Sequence, residues 1–194
     1  MIIRKLFNFE NAHIVRGCST KKCRSSIHGH SYKLEVFLES NYLDNGQMIY
    51  DFGLLKSGIK DIVDSFDHSI TLWRGDDSSY LEDMKKHSSR YVVLDYSPSA
   101  EQFSRIFFVL VDKLLELTKS INGERDVILS SIIVHETQTG YAQCFRDDAY
   151  NPNMGLIDIA NIEFSSEILK SLNDPDILKK LSEDKVVFTN PKSV

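Results

Sequence analysis

Residues 28–39, HGHSYKLEVFLE, decide the fold because two kinds of side chain alternate along them. One set comprises histidines and large apolar groups: His28, His30, Tyr32, Leu34, Val36 and Leu38. The other set comprises Gly29, Ser31, Lys33, Glu35 and Glu39, with Phe37 as the exception. A period of two is that of a β-strand with one buried face. The pattern therefore predicts a strand that covers a hydrophobic core and opens with two histidines.

A second strand is predicted just before this one. Residues 1–14 place Ile3, Phe7, Phe9 and His13 at alternate positions, so this strand ends on a third histidine. Polar residues 15–27 join the two strands and are too many for a tight hairpin turn.

Two helices follow in the sequence pattern. Apolar residues recur at helical spacing over residues 54–66, which predicts the first helix. Ser99 is a predicted N-cap of the second helix, and Gln102 completes a capping box. The apolar positions of this helix run over residues 103–117, and Asn122-Gly123 is its predicted stop.

Two further strands, at about 126–135 and 140–145, complete the order ββααββ, which predicts a two-layer α+β domain over residues 1–145. Residues 73–97 are polar and predict a longer, loop-like connecting segment with a short helix near 80–86. Residues 146–194 are expected to be a C-terminal appendage of unknown role. The sequence predicts a strand at 156–159 of that appendage and short helices around Ile168 and Leu178.

Composition excludes several classes of protein. The chain has 194 residues and a net charge of −5, which argues against general nucleic-acid binding. Its longest apolar run, residues 106–111, is too short to span a membrane, and charges interrupt the apolar N-terminus, which therefore does not resemble a signal peptide. Three cysteines cannot all pair within one chain, so we expect a reducing, cytoplasmic environment.

The three histidines predict a metal site. His28 and His30 point to the same side of their strand, and an antiparallel partner places His13 opposite them. Three imidazoles without a fourth protein ligand are typical of catalytic zinc, which keeps one position open. An alternative is a closed structural site in which Cys18 and Cys23 join His28 and His30, although the cysteine spacing is unlike a compact zinc knuckle.

Three further features have both a structural and a functional interpretation. The basic residues between positions 15 and 27 form either a solvated loop or a positive field for a polyphosphate that also lowers the pKa of Cys23. Asp67 either caps local structure or orients His68 for proton transfer. Glu136 ends the third predicted strand, where an acid usually faces solvent.

Taken in order, these motifs resemble one protein family. The matching residues are Phe9-x-x-Ala12-His13, Cys23, His28-Gly29-His30-x-Tyr32, Asp51-Phe52, Phe66-Asp67-His68, Pro98-Ser99-Ala100-Glu101 and His135-Glu136-Thr137. The resemblance is to the 6-pyruvoyl-tetrahydropterin synthase and 6-carboxytetrahydropterin synthase family, and it covers roughly residues 1–145.

The resemblance implies the tunnelling fold, in which each subunit supplies a four-stranded antiparallel sheet with two helices on one face. Subunits close into a barrel, two trimers stack into a homohexamer, and active sites lie between subunits. By similarity, His13, His28 and His30 bind Zn²⁺, and Cys23 is the catalytic base. Asp67 and His68 assist from a neighbouring subunit, and Glu136 anchors the pterin.

The implied substrate is 7,8-dihydroneopterin triphosphate. Cys23 lies five residues before His28, a spacing intermediate between those of the two kinds of family member. The compact chain favours 6-carboxytetrahydropterin synthase, which makes a queuosine precursor and releases triphosphate and acetaldehyde. Three alternatives stay open: the pyruvoyl-forming enzyme, a non-catalytic pterin-binding protein on the same fold, and a structural-zinc interaction module.

Overall fold

The structure of the protein is a computed structural model that describes residues 1–184 and 188–190. Its strands are β1 Ile2–His13, β2 His28–Glu39, β3 Ser69–Trp73, β4 Tyr91–Leu94, β5 Thr118–Ser120, β6 Ile128–His135, β7 Tyr141–Cys144, β8 Glu163–Phe164 and β9 Phe188–Asn190. Its helices are α1 Lys21–Ser25, α2 Gly58–Asp64, α3 Ser78–His87, α4 Ala100–Glu116, α5 Arg146–Ala149, α6 Ser166–Ser171 and α7 Ile177–Glu183. Short 3-10 turns span Leu54–Lys56, Pro152–Met154 and Ile159–Asn161.

The two predicted N-terminal strands form the centre of the sheet. β1 and β2 pair antiparallel along their whole length, from Ile2 opposite Glu39 to His13 opposite His28. Phe9 and Tyr32 are opposite one another in this register and stack with ring centroids 4.8 Å apart. The alternation in the sequence therefore predicted both the strands and the buried face.

The sheet is larger than expected. It has seven strands in the order β7-β6-β2-β1-β3-β4-β8. β7, β6, β2 and β1 form the predicted antiparallel set, whereas β3 runs parallel to β1 and β4 runs parallel to β3. The prediction of a four-stranded antiparallel sheet is therefore wrong, and the chain has a seven-stranded mixed sheet. β5 and β9 form a separate parallel pair.

β4 lies within residues 73–97, which the sequence predicted to be loop-like, whereas β3 begins before that segment and β8 lies in the expected appendage. The segment β3–α3–β4 is a β-α-β unit, and α3 confirms the short helix expected near residues 80–86. Ile70, Leu72 and Val93 form a small core, against which Tyr80, Leu81 and Met84 of α3 pack. The two strands are only five and four residues long, so their apolar runs are too brief to separate strand from loop by period alone.

The opposite face of the sheet is covered by α2 and α4. Ser99 caps α4 as predicted, since its hydroxyl accepts a hydrogen bond from the Gln102 amide at 3.3 Å. Phe103 and Phe107 of this helix pack edge-on against Phe9. The first predicted helix is shorter than expected because its beginning is a 3-10 turn and only Gly58–Asp64 is α-helical.

The C-terminal segment packs against the same core. α6 and α7 confirm the short helices expected around Ile168 and Leu178, and both of these side chains are buried. The prediction of a strand at 156–159 is wrong. The strand of this segment, β8, comes later in the chain and lies at the edge of the sheet beside β4. The boundary between residues 145 and 146 stays a prediction, and residues 185–187 and 191–194 of the expected appendage lie outside the described residues.

One buried arginine attaches residues 148–155 to α4. Arg105 of α4 donates hydrogen bonds to the carbonyls of Asp148, Ala149, Met154 and Gly155. These carbonyls lie at the ends of α5 and of a 3-10 turn, where backbone acceptors need partners from outside the element. Within the part of the chain that the structure describes, no helix is long and apolar enough to cross a bilayer.

Candidate active site

Three histidines come together where β1 ends and β2 begins. His13 is paired directly with His28, and His30 lies two residues further along the same face of β2. One nitrogen from each ring lies within 4.8 Å of the others. The strand register therefore assembles a set of three imidazoles that can converge on one metal ion, as the sequence predicted.

Backbone carbonyls fix the orientation of two of these rings. His13 Nδ1 lies 2.6 Å from the Pro98 carbonyl, and His28 Nδ1 lies 3.0 Å from the Ser26 carbonyl. A carbonyl only accepts, so each Nδ1 carries the hydrogen and each Nε2 keeps its lone pair. This is the tautomer that a metal-binding histidine needs.

His13 is held in its neutral form. Its side chain is fully buried, and this burial is the main reason that its pKa falls to about 4. The charges of His28 and His30 act in the same direction, whereas the hydrogen bond to Pro98 opposes them. A neutral imidazole is the form that binds a metal, so His13 is ready to do so near neutral pH.

His30 provides a direct test of whether this set fits a metal. Its Nε2 is buried and has no hydrogen-bond partner among the described residues. A buried polar atom left unpaired costs ~1–3 kcal/mol, so the position calls for a ligand. A metal ion held by His13, His28 and His30 satisfies this atom, and the three residues therefore fit the cofactor that the sequence predicts.

Neither loop cysteine belongs to this group. Among the described residues, the cluster of potential metal ligands consists of the three histidines alone. Cys18 Sγ contacts the Thr20 carbonyl at 3.2 Å, and Cys23 lies partly exposed in α1. The alternative of a closed site with two cysteines is therefore not formed in this structure, and the role of Cys23 as a base stays a prediction.

Asp67 and His68 contact each other but lie outside the histidine cluster. The Asp67 carboxylate accepts from the Glu10 amide at 2.7 Å and lies 2.9 Å from His68 Nδ1. His68 has a positive φ of 50°, and its side chain is 74% exposed. Asp67 thus ties the start of β3 to β1 and orients a histidine whose side chain is largely exposed.

Glu136 lies beside the histidines, at the end of β6. Its Oε1 atom is 3.7 Å from His13 Nε2 and 3.9 Å from His30 Nε2. It also borders a cavity of about 510 Å³, which His30 and Lys33 help to line. The predicted pterin anchor and the predicted metal ligands are therefore neighbours, and space for a small molecule adjoins them.

Tyr32 is a site residue for which the sequence pattern predicted no role. Its hydroxyl lies 3.4 Å from both His13 ring nitrogens and 3.4 Å from Glu136 Oε1. Burial, followed by the charge and the hydrogen bond of Glu136, raises the pKa of Tyr32 well above its ordinary value. Tyr32 therefore stays protonated and can donate to Glu136. Its position on the same face of β2 as His28 and His30 is the sequence feature that could have identified it as a site residue.

A second polar group on the opposite face of the sheet lines the same cavity. His135 Nε2 lies 2.6 Å from Glu35 Oε1, and Arg4 donates to Glu35 Oε2 at 2.7 Å. Burial alone would raise the pKa of Glu35, but the contacts with His135 and Arg4 lower it overall. Glu35 is therefore ionised near neutral pH and holds the Arg4 and His135 side chains at the wall of the cavity.

Comparison with known proteins agrees with this geometry. The family described as 6-pyruvoyl tetrahydropterin synthase matches residues 2–147. The 6-carboxy-5,6,7,8-tetrahydropterin synthase of Helicobacter pylori strain J99 is 37% identical over 194 residues, which cover 99% of this chain and 97% of that protein. The protein of the same name from Aquifex aeolicus is 30% identical over 159 residues, 73% of this chain and 95% of its own length.

Solved structures show the same fold. The 6-pyruvoyl tetrahydropterin synthase of Caenorhabditis elegans superposes with a TM-score of 0.52 at 17% identity and covers 75% of this chain and 94% of its own. The chain therefore belongs to the 6-pyruvoyl tetrahydropterin synthase family, a family of lyase-type enzymes, as its motifs predicted.

Proposed function

We propose that the chain is a 6-carboxy-5,6,7,8-tetrahydropterin synthase. It converts 7,8-dihydroneopterin triphosphate into 6-carboxytetrahydropterin, with release of triphosphate and acetaldehyde. The observation that carries this proposal is the set of three histidines beside Glu136, in a chain that aligns over 99% of its length with a relative of that name.

His13, His28 and His30 would hold a zinc ion, and the ion would act as a Lewis acid on the side-chain oxygens of the substrate. The chain's own groups hold the rings in position for this. Pro98 and Ser26 fix two tautomers, and burial keeps His13 neutral.

Glu136 is the proposed anchor of the pterin ring. The amino-pyrimidine edge of a pterin presents two parallel N–H donors, which a carboxylate can accept together. Tyr32 donates to the same carboxylate and keeps one of its oxygens oriented. The cavity beside Glu136 gives the ring a place to bind next to the histidines.

Cys23 is the proposed base that removes a proton from the substrate side chain. It follows Lys21 and Lys22 and precedes Arg24, and these cations favour the thiolate that a base requires. The same cations suit a triphosphate. Arg16 is different, because its guanidinium is already paired with Asp76 at 2.8 Å.

Asp67 and His68 are proposed to act in the site of a neighbouring subunit of a cytoplasmic homohexamer. The exposure of His68 supports this arrangement, since a side chain that is 74% exposed is accessible to a neighbouring subunit. Exposed apolar side chains on the sheet face opposite α4 support it as well, and they include Ile2, Leu6, Ile128 and Tyr141.

The experiment that tests the proposal is incubation of the zinc-loaded protein with 7,8-dihydroneopterin triphosphate, followed by mass spectrometry. We expect 6-carboxytetrahydropterin together with equal amounts of acetaldehyde and triphosphate. A pyruvoyl product without acetaldehyde would assign the chain to the other activity of its family. Binding of the pterin without any turnover would favour a non-catalytic protein.

A further inference from the structure

One arginine links the loop between β1 and β2 to the β3–α3–β4 unit. Arg16 Nε donates to Asp76 Oδ2 at 2.8 Å, and the guanidinium carbon lies 5.3 Å from the centre of the Tyr80 ring. The Asp76 side chain is only 12% exposed and that of Arg16 is 30% exposed. Partial shielding from water makes such a pair stronger than an ordinary surface ion pair.

The same guanidinium also holds the far side of the loop. Arg16 Nη1 donates to the Arg24 carbonyl at 3.1 Å, and the neighbouring Val15 amide donates to the Cys23 carbonyl at 3.1 Å. Arg24 in turn donates to the Ser19 carbonyl at 3.2 Å. The backbone at Cys23 is therefore fixed from the end of β1, by contacts made at positions 15 and 16.

We propose that Arg16 is a positioning residue for Cys23. Asp76 and Tyr80 fix the guanidinium, the guanidinium fixes the carbonyl next to Cys23, and the β3–α3–β4 unit thereby orients the base. The inference rests on the proposed function, in which Cys23 removes a proton. Proton transfer requires the base to lie within hydrogen-bond distance of the proton that it removes, so small displacements of the thiol have large effects on the rate.

A different role for Arg16 predicts a different pattern of variants. If Arg16 bound the substrate triphosphate directly, Asp76→Asn would free its charge and improve binding, whereas Arg16→Ala would raise KM. If Arg16 positions Cys23, both substitutions break the same link and have the same sign. Both then lower kcat and leave KM nearly unchanged, because neither side chain touches the substrate.

The experiment compares Arg16→Ala and Asp76→Asn with Arg74→Ala. Arg74 makes a similar 2.8 Å ion pair with Asp95 and also donates to the Asn161 carbonyl, but it does not contact the loop. It therefore controls for the loss of an arginine ion pair from the β3–α3–β4 unit. Zinc content, kcat, KM and amide hydrogen exchange over residues 14–25 are measured for each protein.

We expect kcat to fall about 10- to 100-fold in Arg16→Ala and Asp76→Asn, with normal zinc content. Amide exchange over the loop should become about tenfold faster in both, since the Val15 and Arg24 contacts open more often. Arg74→Ala should match the unaltered protein. The rate at which iodoacetamide labels Cys23 gives a second measure and should change in the same two variants. Trypsin cleaves after Lys21 and Lys22, so the labels on Cys18 and Cys23 are read on separate peptides.

Two results would overturn the inference. One is unchanged exchange and labelling in Arg16→Ala, and the other is a KM increase that Asp76→Asn does not share. Exchange and labelling need no turnover, so this failure is distinct from a failure of the proposed function. A failure of the proposed function would instead appear as retained activity in Cys23→Ala, a variant in which Arg16 and its partners are intact.

Discussion

His13, His28 and His30 are held by the chain in different ways, and the differences determine what each substitution does. Carbonyls of Pro98 and Ser26 orient the first two rings, whereas His30 Nε2 has no hydrogen-bond partner among the described residues. His13 is also part of the buried core, so its replacement disturbs packing as well as metal binding. His28 is less buried and is the cleaner position for a test.

His28→Ala should lose the metal. The purified protein is expected to carry about one zinc per chain, and two remaining ligands bind far more weakly than three. Metal analysis of the purified variant measures this directly. His87→Ala is the matched control, since His87 is exposed at the end of α3 and should leave the zinc content unchanged. Full zinc occupancy in His28→Ala would refute the ligand assignment.

Cys23→Ala should abolish turnover and leave zinc bound, because no cysteine belongs to the histidine cluster. Cys18→Ala is the natural comparison, since both thiols lie in the same loop and are similarly exposed. It should keep most of the activity. Steady-state rates and metal content of the two variants decide the matter, and the reverse order of activities would move the base to Cys18.

Glu136→Gln should weaken the use of the pterin substrate. One accepting oxygen becomes an amide donor that faces the donors of the ring and the Tyr32 hydroxyl. The loss in kcat/KM should correspond to ~2–5 kcal/mol, as for removal of a buried charged partner. Glu167→Gln, at an exposed position in α6, controls for the loss of a negative charge. Normal kinetics in Glu136→Gln would show that another acid binds the ring.

Among single residues, the sequence predicted those whose spatial neighbours are set by the two-residue repeat of a β-strand. The histidine set is local, because one antiparallel register places His13 against His28 and His30. The contact of Tyr32 with Glu136 joins residues 104 positions apart, and that of Glu35 with His135 joins residues 100 apart. No local pattern encodes such pairs, so the role predicted for Glu136 came only from the family resemblance, and Tyr32, Glu35 and His135 were given no role.

Among the elements, long strands and the long helix were the predictable ones. β1 and β2 have twelve residues each, and α4 has seventeen with a clear cap, so the periodic signal accumulates over several repeats. β3 and β4 offer too few residues for a period to be recognised. The Arg105 contacts that shape residues 148–155 bridge more than 40 positions and leave no trace in local sequence.

Arg105→Ala should destabilise the fold more than any exposed arginine substitution does. The side chain is 3% exposed and donates to four backbone carbonyls that lose their partner when it is removed. We expect the free energy of unfolding to fall by about 2–5 kcal/mol in urea titration. Arg125→Ala provides the control, because Arg125 is exposed and stacks only loosely on Tyr42, at 5.9 Å. Equal stability of the two variants would contradict this role.

For the whole molecule, the oligomeric state is the property to be measured. We expect light scattering at micromolar concentration to give about six times the chain mass of 22.2 kDa. Leu6→Glu places a charge on the exposed sheet face and should dissociate the assembly. Zinc content per chain should survive, since all three histidines come from one chain. A monomeric unaltered protein would remove the reason to place Asp67 and His68 in a neighbouring site.

The order of strands in the sheet also determines when the protein can fold as it leaves the ribosome. β1 and β2 are made first, yet β2 receives its second neighbour only when β6 begins at residue 128. Ile177 and Leu181, which complete the core, emerge later still. A nascent chain that has not reached these residues exposes the apolar faces of β1 and β2, and such exposed strands are prone to aggregate. We therefore expect native folding to be a late event in synthesis, which is completed only after α7 has emerged.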